Sequence, residues 1–310
     1  GAMCVVFDSN HTSRDFLIQE LAKLERSIPS IDELKVPSRV FNFPITFDHK
    51  ALRHCIERYQ RSQRPHAPYL PNNTDFVMRA NCINTVEEFK AAIVGHTQIV
   101  VAVSFLCALP LLVHTDPRLR FLSSKYNPAR TFTPAGAIGT GSIAQAIYTV
   151  DSPGGYMIWG MTLPNGFWDT FSKLKGFDNY PWFLQNFDQV KFYEVSEDEL
   201  TKMNNDLLTG EYEITWEDAE FDFAKYSKWL DTVKDEAAAL KRLKLDAIDG
   251  LTKEEEESLT KWEQEKAQAK ESKGSANDCL NDPNAIKVTS HMTANVFKIN
   301  FRKGDNVSLD

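Results

Sequence analysis

The chain has 310 residues, 42% hydrophobic and 25% charged, which is room for two globular domains of about 100–200 residues each. Its formal charge of −8 argues against a broad phosphate-backbone footprint, so no nucleic-acid partner is expected. The five cysteines (Cys4, Cys55, Cys82, Cys107 and Cys279) are scattered, with no CxxC pair, which argues against a disulfide framework or a zinc knuckle and for a reducing, cytoplasmic setting.

Gly1-Ala2-Met3 reads as a remnant of cloning ahead of the true start, and no signal peptide is expected. Residues 4–98 have the pattern of an α/β subdomain. Cys4–Phe7 is a short strand candidate, and Thr12 or Ser13 is placed to cap a helix through Arg26, with Phe16, Leu17, Leu21 and Leu24 at helical spacing. Ser38–Ile45 alternates like a half-buried strand. Asp48 is expected to cap a helix carrying Leu52, Cys55, Ile56 and Tyr59. A Pro/Asn-rich loop follows over 65–73, then a helix from Thr85 to about Ile93 with Glu87 and Glu88 in its first turn.

Residues 99–220 turn to β character. Ile99–Val103, Gly141–Val150, Tyr156–Trp159 and Gln189–Tyr193 are rich in β-branched and aromatic residues and are separated by Pro/Gly turns, which suggests a small closed barrel or sandwich. The apolar stretch Ile99–Val113 is too short and too interrupted to span a membrane, so no membrane partner is expected. Residues 221–273 form a helical extension: Phe223, Tyr226, Leu230, Val233, Ala237 and Leu240 share one face, Gly250 is expected to break the helix, and Thr252 with Glu255 to cap a second one. Ser272–Ser275 reads as a flexible link, and residues 286–310 return to β character. The class is therefore α+β.

Two segments carry candidate chemistry. Lys125-Tyr126-Asn127-Pro128-Ala129-Arg130 sets two cations, a phenol and an amide around a proline-stiffened loop. That set suits a carboxylate, bicarbonate or phosphate, or else forms a surface turn with an ion pair. Ser152-Pro153-Gly154-Gly155-Tyr156 is a tight turn whose glycines let backbone approach a ligand, or simply turn a barrel corner. The seven histidines show no metal-ligand spacing, and no nucleophile motif is present.

The same segments carry a family resemblance. Lys125–Pro134 followed by Ser152–Tyr156, with Leu34–Arg39 and Ala67–Asn73 upstream and Phe187–Leu200 downstream, resembles the carboxyltransferase half of biotin-dependent urea carboxylase. This half is of the allophanate-hydrolase-subunit-1 or 5-oxoprolinase-subunit-B type. Val288–Ile299 with Gly304–Val307 looks like the first half of a biotin carboxyl carrier domain.

The resemblance implies a cyclophilin-like barrel and transfer of a carboxyl group from carboxybiotin to urea or a related amide. It implies Lys125, Tyr126, Asn127 and Arg130 as catalytic residues, and Asn73, Arg79, Gly154, Gly155, Tyr156 and Met161 as substrate-binding residues. No metal and no cofactor bound in this chain are expected; biotin would be carried by a partner or another segment. The expected partners are a small-molecule substrate and a homo-oligomer or the other carboxyltransferase half, met through the C-terminal helices.

Two stretches depart from the family pattern. Phe105–Leu112 replaces a glycine-rich loop, and Gly160-Met161-Thr162 replaces a Gly-Arg-Thr. Those exchanges leave three readings open: a carboxyltransferase with lost or altered activity, a stand-alone paralogue whose apolar pocket serves an isomerisation, cyclisation or lyase step on a larger organic metabolite, and a non-catalytic interaction module.

Overall fold

The computed structural model describes residues 5–31, 33–177 and 180–272. Residues 5–7 make no strand, in contrast to the expectation for Cys4–Phe7, and α1 (Arg14–Ser27) follows with Ser13 Oγ accepting from the Phe16 N–H at 3.1 Å. No residue of α1 is buried.

β1 (Lys35–Phe47) is longer than its sequence alternation suggested and is the strand on which the fold turns. Phe41, Phe43 and Ile45, spaced by two, are fully buried, each such side chain contributing about 1.5–3 kcal/mol of apolar burial. Next come α2 (Lys50–Ser62), α3 (Asn73–Ala80) and α4 (Val86–Ala91). The cap of α2 is His49, whose Nδ1 accepts from Ala51 N at 3.1 Å; Asp48, the expected cap, instead adopts a left-handed φ of 50° one residue earlier. The Pro/Asn-rich stretch ends in α3 because Asn72 Oδ1 accepts from Thr74 N at 2.9 Å, a cap that the loop-like composition concealed. Thr85 and Glu88 form the capping box of α4.

The remaining strands are β2 (Gln98–Ser104), β3 (Leu109–His114), β4 (Arg130–Thr133), β5 (Ala137–Gly141), β6 (Ala144–Ile147), β7 (Ser152–Gly154), β8 (Met157–Met161), β9 (Gln189–Glu194) and β10 (Trp216–Asp222). Hydrogen-bonded neighbours run β10-β1-β8-β5-β6-β3-β2-β9, and β1 also pairs in parallel with β9. That last pairing closes the ring, so the strands from β1 through β9 form the small closed barrel that the spacing of strands and glycines suggested. β1 arises within the 4–98 segment yet is a barrel stave, so the first 98 residues and the barrel share one sheet. β4 and β7 form a separate pair on which the site is built.

α5 (Glu197–Thr209) opens on a Ser196/Glu199 capping box and stops at Gly210 with φ 81°. α6 then runs unbroken from Phe223 to Ser272. The expected break at Gly250 does not occur, and Thr252 does not cap: its Oγ1 donates to Ile248 O at 2.9 Å in mid-helix. One helical glycine costs about 1 kcal/mol, and here Leu251, 5% exposed, and Glu255, paired with Arg64, anchor the turns that follow. The chain divides into two compact units, 1–262 and 263–310, and the described part of the second is the end of α6. The link at 272–275 and the carrier-like segment at 286–310 fall almost wholly outside the described residues.

Candidate functional site

The two chemistry-bearing segments meet. Tyr126 N donates to Gly155 O at 2.7 Å, and Arg130 pairs with Gly154 across β4 and β7. Between them lies a cavity of about 370 Å³ lined by Phe105, Leu109, Leu111, Lys125, Tyr126, Ala129, Ala146, Tyr148, Gly154, Gly155 and Tyr156. Its floor is one face of the β3–β6 pair, where Leu111 sits opposite Ala146. Lys125 is the one charged side chain of the lining, its ammonium 5.2 Å from the centre of the Tyr156 ring.

Glycine at 154 is dictated by close approach, since a Cβ there would lie 2.2 Å from Tyr148 Oη. Gly155 is different: a Cβ would meet only ordinary contacts at 3.7 Å and beyond, from Lys125 and Ala129. Neither glycine has a positive φ, so neither serves as a left-handed corner.

The expected catalytic residues divide by role. Tyr126 borders the cavity, but its hydroxyl is occupied: Asn73 Nδ2 donates to it at 2.7 Å, and burial pushes its pKa up to about 12. Arg130, 1% exposed, lies beneath that ring, its guanidinium carbon 4.3 Å from the ring centre. It donates to Tyr156 O at 2.7 Å and to Thr133 Oγ1. A guanidinium so engaged supports the cavity wall and is absent from the lining. Asn127 contributes backbone: its N–H donates to Tyr69 Oη at 3.1 Å and its carbonyl accepts from Arg64 at 2.7 Å, while its side chain is exposed.

Of the expected substrate-binding residues, Gly154, Gly155 and Tyr156 line the cavity. Asn73 stands behind Tyr126, with Oδ1 accepting from Ile158 N at 3.0 Å and Nδ2 donating to Tyr69 O at 2.8 Å. Arg79 is elsewhere, gripping both carboxylate oxygens of Glu254 at 2.6 and 2.7 Å on α6. Met161 is elsewhere too, in a separate cavity of about 130 Å³ with His49, Pro164 and Leu200. Neither residue lies in a segment that carries the resemblance: Met161 sits at the end of β8 beside a different cavity, and an ion pair holds Arg79 at the surface.

The sequence names neither Ala146 nor Tyr148 as a site residue, and takes in Leu109 and Leu111 only within the apolar Phe105–Leu112 exchange. Their period of two was a usable signal, since 109 and 111 fall on one face of β3, and 148 keeps the alternation of 146 one residue past the end of β6. Among the described residues no group of His, Cys, Asp or Glu is arranged to hold a metal ion, and no helix is long and apolar enough to cross a membrane.

Comparison with known proteins bears on this arrangement. The family model described as carboxyltransferase domain, subdomain C and D, matches residues 2–174, which carry most of the barrel and every lining residue of the cavity. The chain belongs to this carboxyltransferase family. A putative urea carboxylase of Emericella nidulans is 36% identical over 310 residues, covering 100% of this chain and 25% of that protein. The urea amidolyase of Saccharomyces cerevisiae is 35% identical over 238 residues, covering 77% of this chain and 13% of that one. The crystal structure of the Kluyveromyces lactis urea carboxylase superposes with a TM-score of 0.69 at 32% identity, covering 77% of this chain and 21% of that one. The carboxyltransferase-family chain thus spans a quarter or less of these relatives, and it is a urea carboxylase-like carboxyltransferase domain.

Proposed function

We propose that the chain forms part of the carboxyltransferase of a urea carboxylase-type enzyme, and that its cavity receives the ureido groups between which a carboxyl group passes. The observation that carries this reading is the junction of Lys125-Tyr126 with Gly154-Gly155 around one cavity of about 370 Å³. That size falls within the range of about 300–1,000 Å³ usual for small-molecule sites.

The donor set suits the chemistry. In such a reaction a bond from carboxyl carbon to one nitrogen breaks, another forms to a urea nitrogen, and a proton passes from urea to the nitrogen released. Biotin, carried on another segment, would supply the carboxyl group. Leu109, Leu111 and Ala146 offer apolar wall to a ring system, and the Lys125 ammonium offers positive charge to a carboxylate. Burial raises the pKa of Tyr126, Tyr148 and Tyr156, so these phenols stay protonated, and free hydroxyls among them act as hydrogen-bond donors, not bases. The other carboxyltransferase half, met through the C-terminal helix α6, is the partner this reading expects.

Calorimetric titration of the chain with biotin and with urea at millimolar concentrations tests the proposal. Weak binding of either, reduced about tenfold in Lys125→Met with unfolding unchanged, is the expected result. Silence with both ligands would reject it. The apolar lining supports a second reading, a larger organic metabolite undergoing isomerisation, cyclisation or lyase chemistry. Thermal stabilisation by such metabolites, together with silence toward biotin and urea, would favour it.

A further inference from the structure

Arg64 is fully buried, and nothing in the cavity uses it. Its guanidinium sits behind the Lys125–Arg130 loop and joins that loop to α6. Nη1 donates to the Asn127 carbonyl at 2.7 Å and to Glu255 Oε1, Nη2 donates to Ser258 Oγ at 3.2 Å, and the Trp262 ring lies 5.6 Å away. Ser258 Oγ in turn donates to His66 O at 3.1 Å. The Asn127 carbonyl also accepts from Tyr69 Oη at 3.2 Å, and Asn127 directly follows the cavity residues Lys125 and Tyr126.

Two features distinguish this junction from a passive staple. A buried guanidinium needs its charge matched, and among the described residues Glu255 is the acid that matches it. The match is also incomplete, because Arg64 Nε and Glu255 Oε2 have no hydrogen-bond partner among the described residues. A half-satisfied buried pair is weakly held against release into water. If α6 lifts at Glu255, Arg64 gains solvent and the Asn127 carbonyl loses its charged donor. Arg64 and Asn127 lie within residues 2–174, the part that matches the family model, whereas Glu255 and Ser258 on α6 lie outside it.

We propose that the Glu255–Trp262 segment of α6 is a strap that locks the Lys125–Arg130 loop in its cavity-facing form through Arg64, which makes Arg64 and Glu255 positioning residues for the site. The proposal rests on the reading of this cavity as the ligand site only for its functional consequence; the mechanical coupling stands on the contacts alone.

Site-resolved amide hydrogen exchange on the full chain tests the coupling. The reporters are Tyr126 N–H, bonded to Gly155 O, and Asn127 N–H, bonded to Tyr69 Oη; amides of the β1–β10 pair serve as reference. Glu255→Gln is expected to speed exchange at the reporters roughly tenfold with the reference unchanged. Arg64→Lys is expected to do the same, since one ammonium cannot serve Asn127 O, Glu255 and Ser258 with the geometry of a guanidinium. Glu254→Gln, which breaks only the exposed pair with Arg79, is expected to leave the reporters as they were. Should Glu255→Gln fail to fold, Ser258→Ala reads the same amides with a smaller expected rise. Unchanged reporters in these variants, or a rise shared equally by β1–β10, would overturn the strap.

A parallel titration separates the two readings. Biotin binding that weakens in Glu255→Gln at unchanged melting temperature links the strap to the site. Absence of biotin binding in the parent chain removes the functional reading and leaves the exchange result to decide the strap.

Discussion

The Lys125–Arg130 segment and the β2–β3 hairpin, Gln98–His114, both border the cavity, but they treat their polar groups in opposite ways. In the first, Tyr126 N, Asn127 N, Asn127 O, Pro128 O and Ala129 O all have partners, from Gly155, Tyr69, Arg64, Tyr59 and Gln63. In the second, the root carries Gln98 and His114 opposite one another, both buried, with neither side chain finding a hydrogen-bond partner among the described residues. Its tip holds Phe105, Cys107 and Ala108 at left-handed φ values of 66°, 48° and 50°. The cation-bearing wall is over-determined and the apolar wall is locally frustrated. Specific polar contacts are therefore fixed on one side, while the other can change shape and size at lower cost.

The largest expected effect tests the over-determined wall. Arg130→Ala removes the donors to Tyr156 O and Thr133 Oγ1 and the cation beneath Tyr126. Charge-assisted hydrogen bonds are worth about 1.5–3 kcal/mol each, so urea unfolding is expected to show a loss of about 3 kcal/mol or more. A loss below about 1 kcal/mol would mean that the wall does not depend on its buried guanidinium.

The hairpin root is expected to respond to acid. Burial, with His96, Lys244 and Arg120 nearby and Asp116 opposing, lowers the pKa of His114 from 6.5 to about 3. A depressed folded value means the unfolded chain takes up the proton first. Stability is therefore full above about pH 6.5 and falls toward about pH 3, at most about 1.4 kcal/mol for each pH unit. His49, also lowered by burial, adds with the same sign. His114→Leu removes two unpaired polar atoms and is expected to flatten the slope between about pH 7 and about pH 5 at little cost near neutrality, read by urea midpoints across that range. An unchanged slope would show that the root is better satisfied than its contacts indicate.

The same contrast explains what was legible in the sequence. Closed-barrel character followed from the strand-and-turn spacing, and the two segments that meet at Tyr126 and Gly155 were legible as motifs, while the pairing of β4 with β7 is what brings them together. What stayed hidden depends on tertiary partners. Arg64 sits in a Ser-Gln-Arg-Pro stretch with no periodic signal, and only α6 gives it a role. Gly250 reads as a stop because local propensity carries no record of Leu251 or Glu255 finding partners beyond the helix. Asp48 reads as a cap because His is a rare one, yet the chain turns left-handed at 48 and delivers His49 to the helix end.

The smallest expected effect bears most directly on the frustrated tip. The family resemblance places a glycine-rich loop where this chain reads Phe105–Leu112, and the backbone here still takes left-handed values at Phe105, Cys107 and Ala108 without any glycine. The turn is held in that form by Leu109 N donating to Leu106 O at 3.1 Å and by Thr149 Oγ1 donating to Cys107 O at 2.8 Å. An L-residue in this region costs about 1–2 kcal/mol, whereas glycine loses about 0.5–1 kcal/mol through its freer unfolded chain. Ala108→Gly is therefore expected to stabilise the protein by about 0.5–1 kcal/mol, seen as a higher urea midpoint at unchanged slope. Ala108 does not line the cavity, so binding of any apolar ligand should be unchanged by the substitution. A destabilised Ala108→Gly would mean that the alanine methyl contributes more than the strain costs, and the tip would then be a settled alternative to the glycine loop, not a relic of its geometry.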